Sequence, residues 1–111
     1  MWGVTEITAG GVNNDYLTLT TLRELFPDDV FGGPTEAEVA RPVRVVWGGD
    51  SVDTDIVRTV GIFRRRAWVG EFIRLHRLSP GDRVVVEQTA PYTYHVYPLR
   101  VAAVGVQSSR Q

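Results

Sequence analysis

Arg64 to Glu87 reads RRRAWVGEFIRLHRLSPGDRVVVE, and the fold turns on it: a charged lip of three arginines, a short amphipathic helix, a stop, and a strand that leaves at once. Trp68, Phe72 and Leu75, with Val69 and Ile73 beside them, recur at the i, i+4, i+7 spacing that builds one apolar helix face. Glu71, Arg74 and Arg77 fall on the other side. Pro80 cannot continue a helix and Gly81 is free to take the positive φ of a tight exit, which leaves Leu78 as the anchor before the turn. From Asp82 the period changes to two. Val84 and Val86 point one way while Arg83, Val85 and Glu87 point the other, so the strand has one buried face. Helix and strand are expected to share a core.

Downstream, the strand Asp82 to Gln88 turns through Thr89-Ala90-Pro91 into a strand from Tyr92 to Tyr97, with Tyr92, Tyr94 and Val96 on one face. Leu99 to Val106 is expected to close a single domain over residues 1–106, leaving 107–111 as a flexible tail. Upstream, Thr59 to Phe63 is ambiguous, because Val60 and Ile62 favour strand while Gly61 favours a break. Val43, Val45 and Trp47 alternate along one strand, Gly48 to Ser51 is a turn, and Val52 to Arg58 is the returning strand of a hairpin. Asp28 to Pro42 holds glycines, prolines and four carboxylates with no period and reads as a surface loop. Thr21 followed by Glu24 has the form of a capping box, which predicts a short helix over Leu22 to Phe26, ended by Pro27. Tyr16 to Thr20 alternates with Leu17 and Leu19 inward. Val4 to Thr8 is a first strand and Ala9 to Asn14 a flexible polar loop. The expected architecture is mostly β: seven short strands in an open antiparallel barrel, with two short helices at its ends.

A chain of 111 residues has room for one core. No apolar run approaches the roughly 20 residues of a membrane span, and the N-terminus lacks the basic-then-apolar pattern of a secretory signal. A cytoplasmic protein without a membrane partner is expected. The absence of cysteine removes disulfides, thiol catalysis and thiolate metal sites together. Net charge is −1, yet all twelve basic residues are arginine. Codon usage in a GC-rich genome accounts for that as well as selection for the planar guanidinium fork does, and composition does not separate the two. Position is more informative. Six arginines lie between Arg58 and Arg77, whereas acidic residues gather at Asp28-Asp29 and Glu36-Glu38, so one face is expected to be basic although the whole is not.

Catalytic patterns are scarce. A P-loop needs a lysine to reach the phosphates, and this chain has no lysine. His76 and His95 have no second histidine or carboxylate at a metal-ligand spacing. Asp53 and Asp55 alternate onto one strand face and could serve as a carboxylate pair, or simply as a solvated outer face beside a turn. The serines sit in turns or in the tail, with no GxSxG elbow. A non-enzymatic protein without a cofactor is expected.

Recognition remains. The loop from Thr8 to Asn14 offers Gly10 and Gly11, which let a backbone approach a partner closely, and Asn13 and Asn14, which can hydrogen-bond adenine edges or phosphates. The segment Arg58 to Arg66 supplies Arg58, Thr59, Arg64, Arg65 and Arg66 around a possible glycine turn. Three positive charges at a helix N-terminus oppose the macrodipole, an unfavourable local choice of the kind found where function overrides stability. If the two segments meet at one rim, they form two arms of a clamp on DNA, while Arg74 and Arg77 on the outer helix face stand apart from it.

The stretch FRRRAWVGEFIRLHRLSPGDRVVVE with the following YTYHVYPL, together with YLTLTTLRELFP (Tyr16 to Pro27), resembles the DNA-binding pseudobarrel superfamily. Its members include plant B-three transcription-factor domains and the B-three-like effector-binding domains of EcoRII-type restriction endonucleases. The matching positions are Trp68, Phe72, Leu78, Gly81-Asp82, Val84 and Glu87. The resemblance implies a seven-stranded open pseudobarrel that grips the major groove of double-stranded DNA with an N-arm, here Thr8 to Asn14, and a C-arm, here roughly Arg58 to Arg66. It also implies a possible place beside a nuclease domain or partner subunit in a larger protein, as the specificity or modified-base-sensing part of a restriction system. The L-x-x-GD-x-V pattern recurs in swapped-hairpin antitoxin folds, so a protein-interaction barrel of the antitoxin or regulator type is the alternative.

Overall fold

The structure, a computed structural model, describes residues 1–48 and 50–100. Its main sheet has five strands in the order β1 (Trp2–Glu6), β7 (Arg83–Ala90), β8 (Thr93–Pro98), β3 (Val43–Val46) and β4 (Ser51–Thr54). A smaller sheet of three two-residue strands, β2 (Phe31–Gly32), β5 (Ile56–Val57) and β6 (Ile62–Phe63), runs in that same order. Both sheets are mixed: β3 pairs with β8, and β2 with β5, in parallel. The chain is mostly β, as expected, but in place of the expected seven-stranded open antiparallel barrel its strands form two mixed sheets. The parallel pairs join strands far apart in sequence, β2 with β5 and β3 with β8, with no tight turn between them, and only a hairpin forces antiparallel pairing. The expected closing strand lies, from residue 101 onward, outside the described residues, as does the tail. No described helix is long and apolar enough to cross a membrane.

The period-two reading of the central hairpin holds for its core-facing residues, while Val85, expected on the outward face, is buried as well at 4% exposure. Val84, Val86, Tyr94 and Val96 are at most 1% exposed and face the core, and the β7–β8 register sets Val86 opposite Val96. Tyr92 leaves the strand pattern, since it occupies the left-handed turn position at φ 58°. Against this sheet packs α2 (Ala67–His76), whose buried stripe is Trp68, Val69, Phe72 and Ile73. Leu75 departs from expectation and is 57% exposed, because it lies roughly 90° around the helix from the centre of that stripe. Arg77 takes the left-handed C-cap at φ 53°, Leu78 is buried behind it, and Gly81 has the positive φ of 100° that the exit requires. Between sheet and helix the aromatic rings of Trp47, Trp68, Phe63, Phe26 and Tyr94 run in contact, with centroid separations of 4.5 to 6.1 Å.

Three further expectations are revised. Tyr16 to Leu19 has Leu17 and Leu19 buried as expected but joins no sheet; Leu19 instead donates its amide to the Gly61 carbonyl at 2.8 Å. The helix after it is a 3₁₀ segment, Thr20–Leu25, with Leu19 at its N-cap and no side-chain cap, so Thr21 and Glu24 form no capping box. The capping box is found at Thr35 and Glu38, inside the stretch read as a loop. That stretch is ordered by two 3₁₀ turns, β2 and the fully buried Val30.

Candidate functional site

The expected N-arm is not a loop. Ala9–Asn14 forms a short helix, α1, because Thr8 adopts extended backbone and its hydroxyl accepts a hydrogen bond from the Gly11 amide at 2.9 Å. Asp15 closes it in the left-handed conformation. The glycines here serve internal packing: a Cβ on Gly10 would stand 2.5 Å from the Tyr16 hydroxyl, and one on Gly11 2.5 Å from the Tyr16 carbonyl oxygen. Thr8, Asn13 and Asn14 are exposed, with the Asn14 amide donating to the Gly10 carbonyl at 3.1 Å.

The expected C-arm is a tight turn, Arg58 to Gly61, between β5 and β6, in which the Gly61 amide donates to the Val57 carbonyl. Arg58 and Thr59 are exposed. The Arg58 guanidinium lies over the Phe31 ring and reaches the Asp28 carboxylate at 3.3 Å. Gly61 also links the two arms, since its carbonyl holds Leu19 in the extended segment that follows α1.

The three lip arginines part company. Arg64 turns inward and meets Asp55 through two hydrogen bonds of 2.6 and 3.0 Å, with side chains 9% and 1% exposed. Its remaining donors go to the carbonyls of Gly33 at 2.6 Å and Thr35 at 3.2 Å. Asp55 in turn accepts from the Ala40 amide at 2.8 Å. Burial would raise the Asp55 carboxyl, but the Arg64 hydrogen bonds, the Ala40 amide and the Arg64 charge outweigh it and hold the pKa below the usual aspartate range. Asp55 pushes the Arg64 guanidinium up, mainly by hydrogen bonding. Arg65 and Arg66 stay exposed. Their backbone alone is tied: the Arg65 amide donates to the Thr54 hydroxyl at 2.9 Å and its carbonyl accepts from the Trp68 indole at 2.8 Å.

Asp53 and Asp55 do not share a face. Thr54, Asp55 and Ile56 are buried in succession because the chain crosses from the main sheet to the small one at Asp55, which breaks the alternation. Asp53 remains outside, paired with Arg44 at 3.3 Å. His76 packs edge-on against Phe72 at 4.9 Å, and burial, reinforced by the Arg100 charge, pushes its imidazole pKa down. The His95 ring meets the Tyr97 ring at a tilt of 56°, with centroids 5.0 Å apart.

The arginines thus divide. Arg23, Arg41, Arg44 and Arg58 pair with Asp28, Asp29 or Asp53, and Arg64 with Asp55. Among the described residues, Arg65, Arg66, Arg74, Arg77, Arg83 and Arg100 make no ion pair; the first four lie in α2 or at its ends, and Arg100 donates to the His76 carbonyl at 2.9 Å. Sequence reasoning treated Arg64 to Arg66 as one lip. The signal it missed is that Asp55 and Arg64 stand nine residues apart across β5 and β6, at positions a hairpin brings together. No protein-family model, no curated protein and no solved structure matches this chain.

Proposed function

We propose that this chain is a non-catalytic, sequence-specific module for double-stranded DNA, of the pseudobarrel kind, and that Arg65 and Arg66 with the exposed side of α1 form the contact surface. The observation that carries this reading is the division of the arginines, which leaves unneutralised guanidinium groups beside a polar helix while the acidic side neutralises its own. Arginine suits both duties there, phosphates for affinity and guanine O6/N7 for sequence. Asn13 supplies an uncharged amide that can pair with adenine. Thr8, Gly10 and Gly11 shape α1 in this reading, Arg58 braces the turn from its exposed side against Phe31 and Asp28, and Arg64 braces the lip from inside.

Selection of bound duplexes from a random pool, run in parallel on methylated and unmethylated DNA, tests it. An enriched motif is expected, and a methylation-dependent difference would place the module in a modification-sensing system. A pool that emerges without enrichment sinks the sequence-specific claim. One observation favours a second reading, a protein-interaction domain of the regulator type: Trp2, 66% exposed, sits on β1 at the edge of the main sheet, where another chain could add a strand. A concentration-dependent dimer by sedimentation, with no shift of any DNA, would favour it.

A further inference from the structure

We propose that the DNA-facing surface extends along α2 past α1, with Arg74 and Arg77 binding backbone phosphates on the side of α1 opposite Arg65 and Arg66. This rests on the DNA-binding reading above and adds a second row of phosphate-binding groups, on residues that the helix pattern alone assigns to an idle outer face.

A Cβ on Gly70 would stand 2.5 Å from an Asp15 carboxylate oxygen, so the end of α1 lies directly on α2 at that position, and Gly70 is buried although it belongs to the helix side away from the core. Residues three and four apart share a helix flank. Arg66, Gly70, Arg74 and Arg77 therefore run down one flank, with the end of α1 resting across its middle. Arg66, Arg74 and Arg77 are all exposed, and among the described residues none of them makes an ion pair.

Spacing then suggests the partner. Arg66 and Arg74 are eight positions apart, roughly 12 Å along a helix axis at 1.5 Å per residue, and the major groove of B-DNA is about 12 Å wide. Two arginine clusters at that separation reach phosphates on the two strands while α1, between them, presents Asn13 and Asn14 toward the groove. Asp15 and Glu71 oppose this locally. Asp15 is turned onto Gly70 beneath α1, and the four arginines exceed the two carboxylates, so the flank stays net positive. The acidic turns around Asp28 and Glu36 neutralise or repel elsewhere, which fixes the orientation of the bound duplex.

The test is fluorescence anisotropy with a labelled duplex of about 20 base pairs and mixed sequence, titrated at about 50 and about 200 mM salt. The double variant Arg74→Gln/Arg77→Asn keeps a helix former and a residue tolerant of the left-handed C-cap. Arg65→Ala/Arg66→Ala reports the first cluster, and Arg83→Ala, on the outer face of the main sheet, controls for loss of charge as such. Each double variant is expected to lower affinity about tenfold or more and to flatten the logarithmic salt slope by about 2, since each phosphate that the protein neutralises adds about 0.9 to that slope, with Arg83→Ala close to wild type. Arg74→Gln alone, should the double variant unfold, is expected to flatten the slope by about half as much. If the Arg74 and Arg77 variants match wild type in affinity and slope while the Arg65/Arg66 variant loses both, the second row is refuted and the DNA-binding reading stands. If wild type shows no salt-dependent binding, both fall.

Discussion

Arg64 shows how a side chain read as free can be spent inside the fold. Its fork fits the Asp55 carboxylate with two bonds and leaves donors for Gly33 and Thr35, so one residue fastens the acidic turns to β5 and β6. Removing one partner of a buried pair strands the other charge, which costs about 3 to 5 kcal/mol. Arg64→Ala and Asp55→Ala should each destabilise the chain by that order in urea denaturation; a loss below about 1 kcal/mol would mean water solvates the pair after all. The sign of the pH dependence follows from Asp55. Its folded pKa lies below the unfolded value of about 3.9, so its contribution is complete above that value and is lost as pH falls through the lower folded one. Stability measured from neutral pH downward should drop there, and Asp55→Asn should flatten the drop. Tyr94 has the opposite behaviour at the alkaline end. Its hydroxyl donates to the Leu25 carbonyl at 2.8 Å, and burial, aided by Tyr92, pushes its pKa up to about 12. Stability should therefore hold below the unfolded tyrosine value of about 10 and decline between it and about 12. Tyr94→Phe should make that decline shallower, leaving the parts due to Tyr92 and Tyr97, whose pKa values are also raised, and cost about 1 to 2 kcal/mol at neutral pH by orphaning the Leu25 carbonyl.

Among the elements, α1 hangs on a single cap. Six residues, two of them glycine, have little intrinsic helicity, so the Thr8 hydroxyl on Gly11 and the close fit to Tyr16 hold it. Thr8→Ala should loosen α1 by about 1 kcal/mol, seen as faster exchange of the Gly11 and Val12 amides, while Thr8→Ser leaves exchange unchanged. Equal exchange in both variants would show that packing on Tyr16 suffices without the cap. This element is also where the sequence was least legible. Gly-Gly followed by Asn-Asn is the ordinary signature of a loop, and only the tertiary fit to Tyr16 and Gly70 overrides it. The helix α2 and the hairpin β7–β8 were legible because each carries its own period over eight or more residues. The short strands β2, β5 and β6 were not, since two residues carry no period. The Thr21–Glu24 and Thr35–Glu38 pairs have the same capping-box form, and what separates them is the burial of Leu22 and Leu25, which takes the first turn inward. Of the candidate site, the cluster Arg65-Arg66 and the asparagines were in view. The commitment of Arg64 was hidden by the strand break at Asp55, which turned an expected outward carboxylate into a buried one.

At the scale of the whole molecule, charge is sorted: ion pairs gather around the acidic turns and open arginines around α2. Reversing two of the latter, Arg65→Glu/Arg66→Glu, should abolish the proposed DNA binding while shifting the melting midpoint by only a few degrees, because exposed residues without partners carry about 0.5 kcal/mol or less of stability each. A large thermal shift would mark them as structural. The strand order has a different consequence, in time rather than space. β1 pairs with β7, more than seventy residues further along, and β3 finds its parallel partner only in β8. During synthesis, then, the first strand and its tryptophan leave the ribosome long before anything can pair with them, and the main sheet cannot assemble until the β7–β8 hairpin has emerged. Pairing at such sequence separations is slow, in the millisecond to second range typical of β-rich domains, so a nascent chain arrested before β7 should leave β1 protease-sensitive, and the β7–β8 hairpin should be what brings the first strand into the fold.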